Sequence, residues 1–303
     1  MFNYSLDNKR YHTLNYFYKK KFGKKTFKVS LNAGFSCPNY KTGGCIFCSH
    51  QSGDFAGNPN DDLITQFNEI KKIMERKWPN SYYIGYFQAG TNTFAPLNVL
   101  KEKYETILNI PNVVGISIAT RSDAIKEDVM DYLEELNKKT FLTIELGLQS
   151  IHAKTLNFIN RGHTLENFIE CVKELKKRNI NVVVHIINGL PGETKEDMIE
   201  TVKLLNSLNI DGIKIHMLHI LKDTFLENYY YKNNFHVLTK NEYIDIVCEQ
   251  LRYLNPKIVI HRITGDPKRE DLIEPTWLLK KFCVLNDIDK EMKKRDIYQG
   301  NLT

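Results

Sequence analysis

Three cysteines, Cys37, Cys45 and Cys48, share one short stretch, GFSCPNYKTGGCIFCSH, with the spacing C-x7-C-x2-C. Three thiolates in one loop suit metal, yet they are one ligand short of a closed zinc site or a common iron–sulfur cluster. A 4Fe-4S cluster on three thiolates leaves one iron open to an outside ligand. Alternatively His50, just after Cys48, completes a Cys3His zinc site. Gly43 and Gly44 let the loop turn tightly, and Pro38 stiffens its start. Cys171, Cys248 and Cys283 fall in helical patterns and read as packing residues.

Apolar runs that can carry such a loop recur along the chain. Strands are expected at 27–33, 82–89, 113–119, 141–148, 181–188 and 212–218, several of them near-continuous apolar runs, as in parallel sheets covered by helices. Between them lie segments of helical period. Leu63, Ile64, Phe67, Ile70 and Met74 make one stripe; Met198, Val202, Leu205 and Leu208 make another, with Thr194 and Asp197 set for a capping box. Six β-then-α units predict an α/β fold that curls into a barrel or part-barrel, its site formed by the loops after the strands. Residues 1–26 form a basic N-terminal arm, 27–225 the barrel, and 226–303 a C-terminal α-rich extension around the short strand KIVIHRI.

Composition sets outer limits. The 303 residues are 42% hydrophobic and 26% charged, with a net charge of +6, as in an ordinary globular protein. No run is apolar enough to span a bilayer, so no membrane role is expected. The opening MFNYSLDNKRYH carries no apolar leader, which points to a cytoplasmic protein with reduced thiols. Glu145, Lys214, His216, His219, His261 and Arg262 stand on or just after strands, where barrels place catalytic groups. His216 and His219, three apart, cannot share a face of a regular strand without a bulge or turn.

The motifs after the cysteine loop complete a recognisable series: YFQAGTNTFAP, IATRSD, LTIELGLQS, INRGHT, HIINGLPGET and HMLHILKDT. In this order the chain resembles the radical S-adenosylmethionine (SAM) superfamily, and most closely its YhcC-type subgroup, a relative of the radical SAM part of the Elongator catalytic subunit. The long first cysteine gap is a feature of that subgroup. The resemblance implies a partial (β/α)6 TIM-type barrel, a 4Fe-4S cluster on Cys37, Cys45 and Cys48, and SAM as the outside ligand. It places Gly90 and Thr91 at the methionine amino group, and Gln149 and Arg161 at the ribose and methionine carboxylate. His185 stands where relatives carry an acid, and NGLPGE (188–193) near the adenine. The implied chemistry is reductive cleavage of SAM to a 5′-deoxyadenosyl radical that takes a hydrogen atom, with an electron donor such as flavodoxin or ferredoxin.

Kinship with the Elongator subunit points to RNA, and to modification of a tRNA wobble uridine. The arm agrees in kind: Lys9, Arg10, Lys19, Lys20, Lys21, Lys24 and Lys25 alternate with Tyr4, Tyr11, Tyr16, Phe17 and Tyr18, against one acid, Asp7. The same residues also suit a solvated helix capping the barrel. Two other classes stand beside this one: a radical SAM enzyme for a small metabolite or peptide, and a zinc-binding, RNA-binding protein without catalysis.

Overall fold

The computed structural model describes residues 2, 4, 6–49 and 56–303. The zinc ligand considered at His50 lies outside the described residues. The chain runs α1 (Leu14–Phe22), β1 (Thr26–Leu31), α2 (Leu63–Glu75), β2 (Tyr82–Phe87), α3 (Leu97–Leu108), β3 (Val113–Thr120), α4 (Glu127–Lys139) and β4 (Phe141–Gln149). It continues through α5 (Ala153–Phe158), α6 (Leu165–Lys177), β5 (Asn181–Asn188), α7 (Lys195–Ser207), β6 (Gly212–Met217), β7 (Ile220–Leu221) and α8 (Phe225–Asn233). Last come α9 (Lys240–Tyr253), β8 (Val259–Arg262), β9 (Leu272–Glu274) and α10 (Lys281–Lys294).

The main sheet is wholly parallel, in the order β1-β2-β3-β4-β5-β6-β8, and curls into a half-barrel. The six expected strands are present, and a seventh joins them. The segment KIVIHRI, expected in an extension packed on the barrel, instead joins its sheet by pairing with β6, because α9 packs on α7 and returns the chain parallel. A small antiparallel ribbon of β7 and β9 lies beyond the sheet.

Alternation along the strands separates two environments. In β4, Leu142, Ile144, Leu146 and Leu148 are fully buried under the helices, so Thr143, Glu145, Gly147 and Gln149 take the inner face. In β6 the same rule sends Ile213, Ile215 and Met217 outward and Lys214 and His216 inward. The α7 capping box between Thr194 and Asp197 is present. The α2 stripe is rotated from expectation: Ile64 is exposed, and Gln66 is buried instead. Its amide receives the Asn32 N–H and donates to the carbonyls of Asn32, Asn58 and Asp61, satisfying backbone groups after β1.

The first residues are not a free arm. The Ile260 N–H donates to the His12 carbonyl, Thr13 bridges to Ile260, and α1 packs on both β1 and β8, covering the seam where those strands do not pair. Tyr11 and Tyr18 are buried there and are unavailable for stacking on bases, which corrects the reading of the arm's aromatics. Lys19, Lys20, Lys21 and Lys24 are exposed; Lys25 is half-buried over the Trp78 ring. Gln299, fully buried near the end of the chain, accepts from the His12 N–H at 2.7 Å and donates to the Asn255 and Ile258 carbonyls, both at 2.8 Å. Gln299→Leu strands these buried groups and should cost about 3 kcal/mol in urea unfolding. An unchanged midpoint would show that the seam does not depend on this amide.

Candidate active site

The cysteine loop follows β1 at the C-terminal end of the sheet. Cys37 caps a 3-10 turn, Pro38–Thr42, and Gly43 and Gly44 both take positive φ (94° and 75°) before Cys45. Two asparagines lock the loop to the turn after α5. Asn39 donates to the Asn160 carbonyl at 2.7 Å, and Asn160 donates to the carbonyls of Thr42 (2.9 Å) and Gly44 (2.7 Å). At Gly162 a Cβ would meet Asn39 Oδ1 at 2.2 Å. Gly90 lies as close, since its Cβ would stand 2.0 Å from the Phe35 carbonyl oxygen, and the Thr91 N–H donates to the Ser36 carbonyl.

The three cysteines, Gly90, Thr91, Glu145, Gln149, Arg161 and His185 line a single cavity of about 170 Å³. A second cavity of about 230 Å³ shares Gln149 and His185 with it, and adds His216 and His219. Because β6 ends at Met217, the two histidines reach that wall together, resolving the spacing problem. Arg161 is nearly buried; its Nη2 donates to the Gly147 carbonyl at 2.6 Å, its Nη1 lies 3.8 Å from Cys45 Sγ, and its Nε is buried with no partner. A hydrogen bond from Cys48, then Arg161 and Arg121, draws the Cys45 thiol down to about 6 against its burial. Cys171 and Cys248 are buried in the helix-side core, as expected; Cys283 is exposed, contrary to expectation.

Beside the cavity lies a charged layer. Glu145, with no side-chain exposure, accepts from His185 Nε2 (2.7 Å) and the Lys214 ammonium (2.6 Å) on one oxygen, and from Ser117 (2.5 Å) and Lys28 on the other. Burial opposes ionisation of this carboxyl, but Lys214 and Lys28 outweigh it and hold it well below the usual range. Burial and Lys214 push His185 down to about 4, so its ring is neutral at pH 7. His261 lies 3.4 Å from Lys28.

Lys28, Tyr86, Ser117 and Arg121 belong to this site and were not singled out in the sequence. Lys28 was legible, since FKVSL alternates polar and apolar. Arg121 was not: it sits in the IATRSD motif, and only the fold shows it bonded to Asp123 and to the Arg161 carbonyl.

The sequence profile of the Radical SAM superfamily matches residues 35–205 and that of the Radical_SAM C-terminal domain residues 210–294. The chain belongs to the radical SAM superfamily. It is 51% identical over 304 residues to YtqA of Bacillus subtilis, covering 99% of this chain and 94% of that one. It is 30% identical over 287 residues to YhcC of Escherichia coli K12, covering 93% and 92%. The solved structure of the archaeal Methanocaldococcus infernus Elp3 shares the fold with a TM-score of 0.69 at 18% identity, over 90% of this chain and 64% of that one. The protein is thus a radical SAM enzyme, and membership implies SAM and a 4Fe-4S cluster as cofactors. Among the described residues no helix is long and apolar enough to cross a membrane.

Glu145→Leu leaves two buried ammonium groups without their counter-charge. It should destabilise the fold by about 3–5 kcal/mol in urea unfolding. The triple variant Lys28→Met, Glu145→Leu, Lys214→Met should recover most of that loss. A neutral single variant would show that the layer is not held by this carboxylate.

Proposed function

We propose that Cys37, Cys45 and Cys48 hold the 4Fe-4S cluster, that Gly90, Thr91, Gln149, Arg161 and His185 line the SAM site, and that the substrate is a tRNA altered on a wobble-uridine side chain. The observation that carries the cofactor reading is the convergence of three thiols on one cavity with a guanidinium whose Nε is buried and unpartnered. A carboxylate suits that fork, and ribose hydroxyls suit the Gln149 amide. The pair of cofactors supplies, when bound, one-electron cleavage of a carbon–sulfur bond and hydrogen-atom abstraction. The chain's own part is placement. Asn39 and Asn160 fix the loop, and Glu145 holds the neutral His185 by its Nε2. A flavodoxin- or ferredoxin-like reductant completes the set of partners.

The RNA reading is supported by the resemblance to the Elongator subunit and by the exposed Lys19, Lys20, Lys21 and Lys24. These lysines precede β1, whereas the cysteine loop follows it, so one strand length of about 20 Å separates them. In this reading they grip the RNA body, and another surface presents the reacting nucleotide.

Anaerobic iron and sulfide analysis tests the cofactors. Alanine at Cys37, Cys45 or Cys48 should abolish the cluster, and alanine at Cys171, Cys248 or Cys283 should not. Arg161→Ala should keep the iron yet weaken SAM binding by about 1.5–3 kcal/mol. One equivalent of zinc with no iron in air-free protein would sink the reading.

Filter binding of tRNA across a salt series tests the substrate. Neutralising Lys19, Lys20, Lys21, Lys24 and Lys25 should lower the slope of log affinity against log salt by roughly 0.7–0.9 for each phosphate no longer neutralised. SAM cleavage without substrate should not change. Identical slopes would remove these lysines from the RNA surface, and no tRNA binding at low salt would favour a small-molecule substrate.

A further inference from the structure

The charged layer has more positive charge than it can balance. Lys28 and Lys214 share the single carboxylate of Glu145, and Arg262, which lines the same cavity, enters none of the pairs described above. Both Glu145 oxygens are committed: one to Lys28 and Ser117, the other to Lys214 and His185. Each ammonium has three donors. Lys214 spends one on Glu145 and one on the Tyr86 hydroxyl at 2.9 Å; Lys28 spends one on Glu145 and one toward His261. Both ammonium groups also lie over the Tyr86 ring, 4.8 and 4.4 Å from its centre, a contact weaker than a second carboxylate would give.

Both lysines, with Tyr86, Gln88 and Arg262, line a cavity of about 370 Å³ that α1 walls with Asn15 and Tyr18. Lys214 is only 7% exposed. A buried, paired ammonium repays little of its desolvation cost, and packed apolar side chains would stabilise the barrel as well or better, so stability alone does not account for the cations gathered on this cavity. The groups facing this space are Lys25, Lys28, Lys214, His261 and Arg262, with Tyr18 and Tyr86 as neutral hydroxyls and Glu145 behind them. Among them, burial pushes Lys214 down to about 7 despite Glu145, with Lys28 and Arg262 adding to the fall. A second anion would relieve that.

We infer that this cavity is a subsite for an oxyanion, the carboxylate or phosphate of a reactant, held between Lys28, Lys214 and Arg262. Glu145, which pairs with both lysines of this cavity, itself lines the cysteine cavity, although the two cavities share no lining residue. The inference rests on the radical SAM reading only for the fate of the bound molecule, and binding alone tests it.

The experiment is calorimetric titration of the full chain, its cluster confirmed by absorbance, with inorganic phosphate and separately with succinate at constant ionic strength and pH 6.5. One-to-one saturable binding of either anion is expected, and the tighter one identifies the source. Arg262→Gln, at an exposed position, should weaken it about tenfold or more, as should Lys214→Met. Neutralising Lys290 and Lys294, exposed on α10, should leave binding as in the wild type. No saturable binding of either anion, or equal binding in Arg262→Gln and Lys214→Met, overturns the subsite. Anion binding by protein that takes up no iron would instead remove the cluster reading and leave the subsite standing.

Discussion

A carboxylate with no access to water lies at the middle of the sheet, and the inner face is arranged around keeping it charged. Glu145 stands on β4, the central strand of seven, and each neighbour that stabilises it comes from a different strand: Lys28 from β1, Ser117 from β3, His185 from β5 and Lys214 from β6. Such convergence needs curvature, since residues on non-adjacent strands of a flat sheet stay several interstrand spacings apart. The ionic layer and the half-barrel therefore require each other. Removing the curl would strand the carboxylate, and removing the carboxylate would leave the ammonium groups that bridge the concave face without a shared partner.

The cysteine loop depends on a different kind of lock. Its backbone groups are matched by side-chain amides more than a hundred residues away in sequence, Asn39 against the Asn160 carbonyl and Asn160 against Thr42 and Gly44. The same turn carries Arg161, so the guanidinium facing the cavity and the thiols beside it are positioned by one set of hydrogen bonds. Gly162 is needed because Asn39 occupies the space of its missing side chain. Pre-positioned donors of this kind are worth more than equally many mobile ones, because the cost of ordering them is met when the chain folds.

Much of this was legible in the chain itself. Period-two alternation in LTIELGLQ separates Glu145 and Gln149 from the core leucines; the motifs of the first five strands contribute to one cavity, and that of β6 to a second beside it. What escaped sequence reading follows from long-range pairing. KIVIHRI carries a strand pattern but no signal for which sheet it joins; that depends on where α9 returns the chain. Gln66 occupies a core position because three loop carbonyls and an N–H need partners there, a demand absent from helical periodicity. The first residues read as an arm because charge dominates their composition, while their fixed position comes from backbone bonds to His12 and Thr13 and from the distant Gln299.

That fixed position bears on what the lysines can contribute to catalysis. Helix α1 is pinned at its start by Thr13 and Ile260 and flows at its end into β1, so the separation of Lys19, Lys20 and Lys21 from the cysteines is set by the length of a strand in a packed sheet. With the cysteine cavity as the proposed reacting centre, none of these contacts brings the charges to it. An interaction so far from the bond being broken has nearly the same strength in the bound complex and in the transition state. It tightens binding without lowering the barrier to the chemical step. In the proposed reading, rate differences between substrates then arise on the inner face, where Glu145 and His185 line the wall of the cysteine cavity and Lys214 pairs with Glu145.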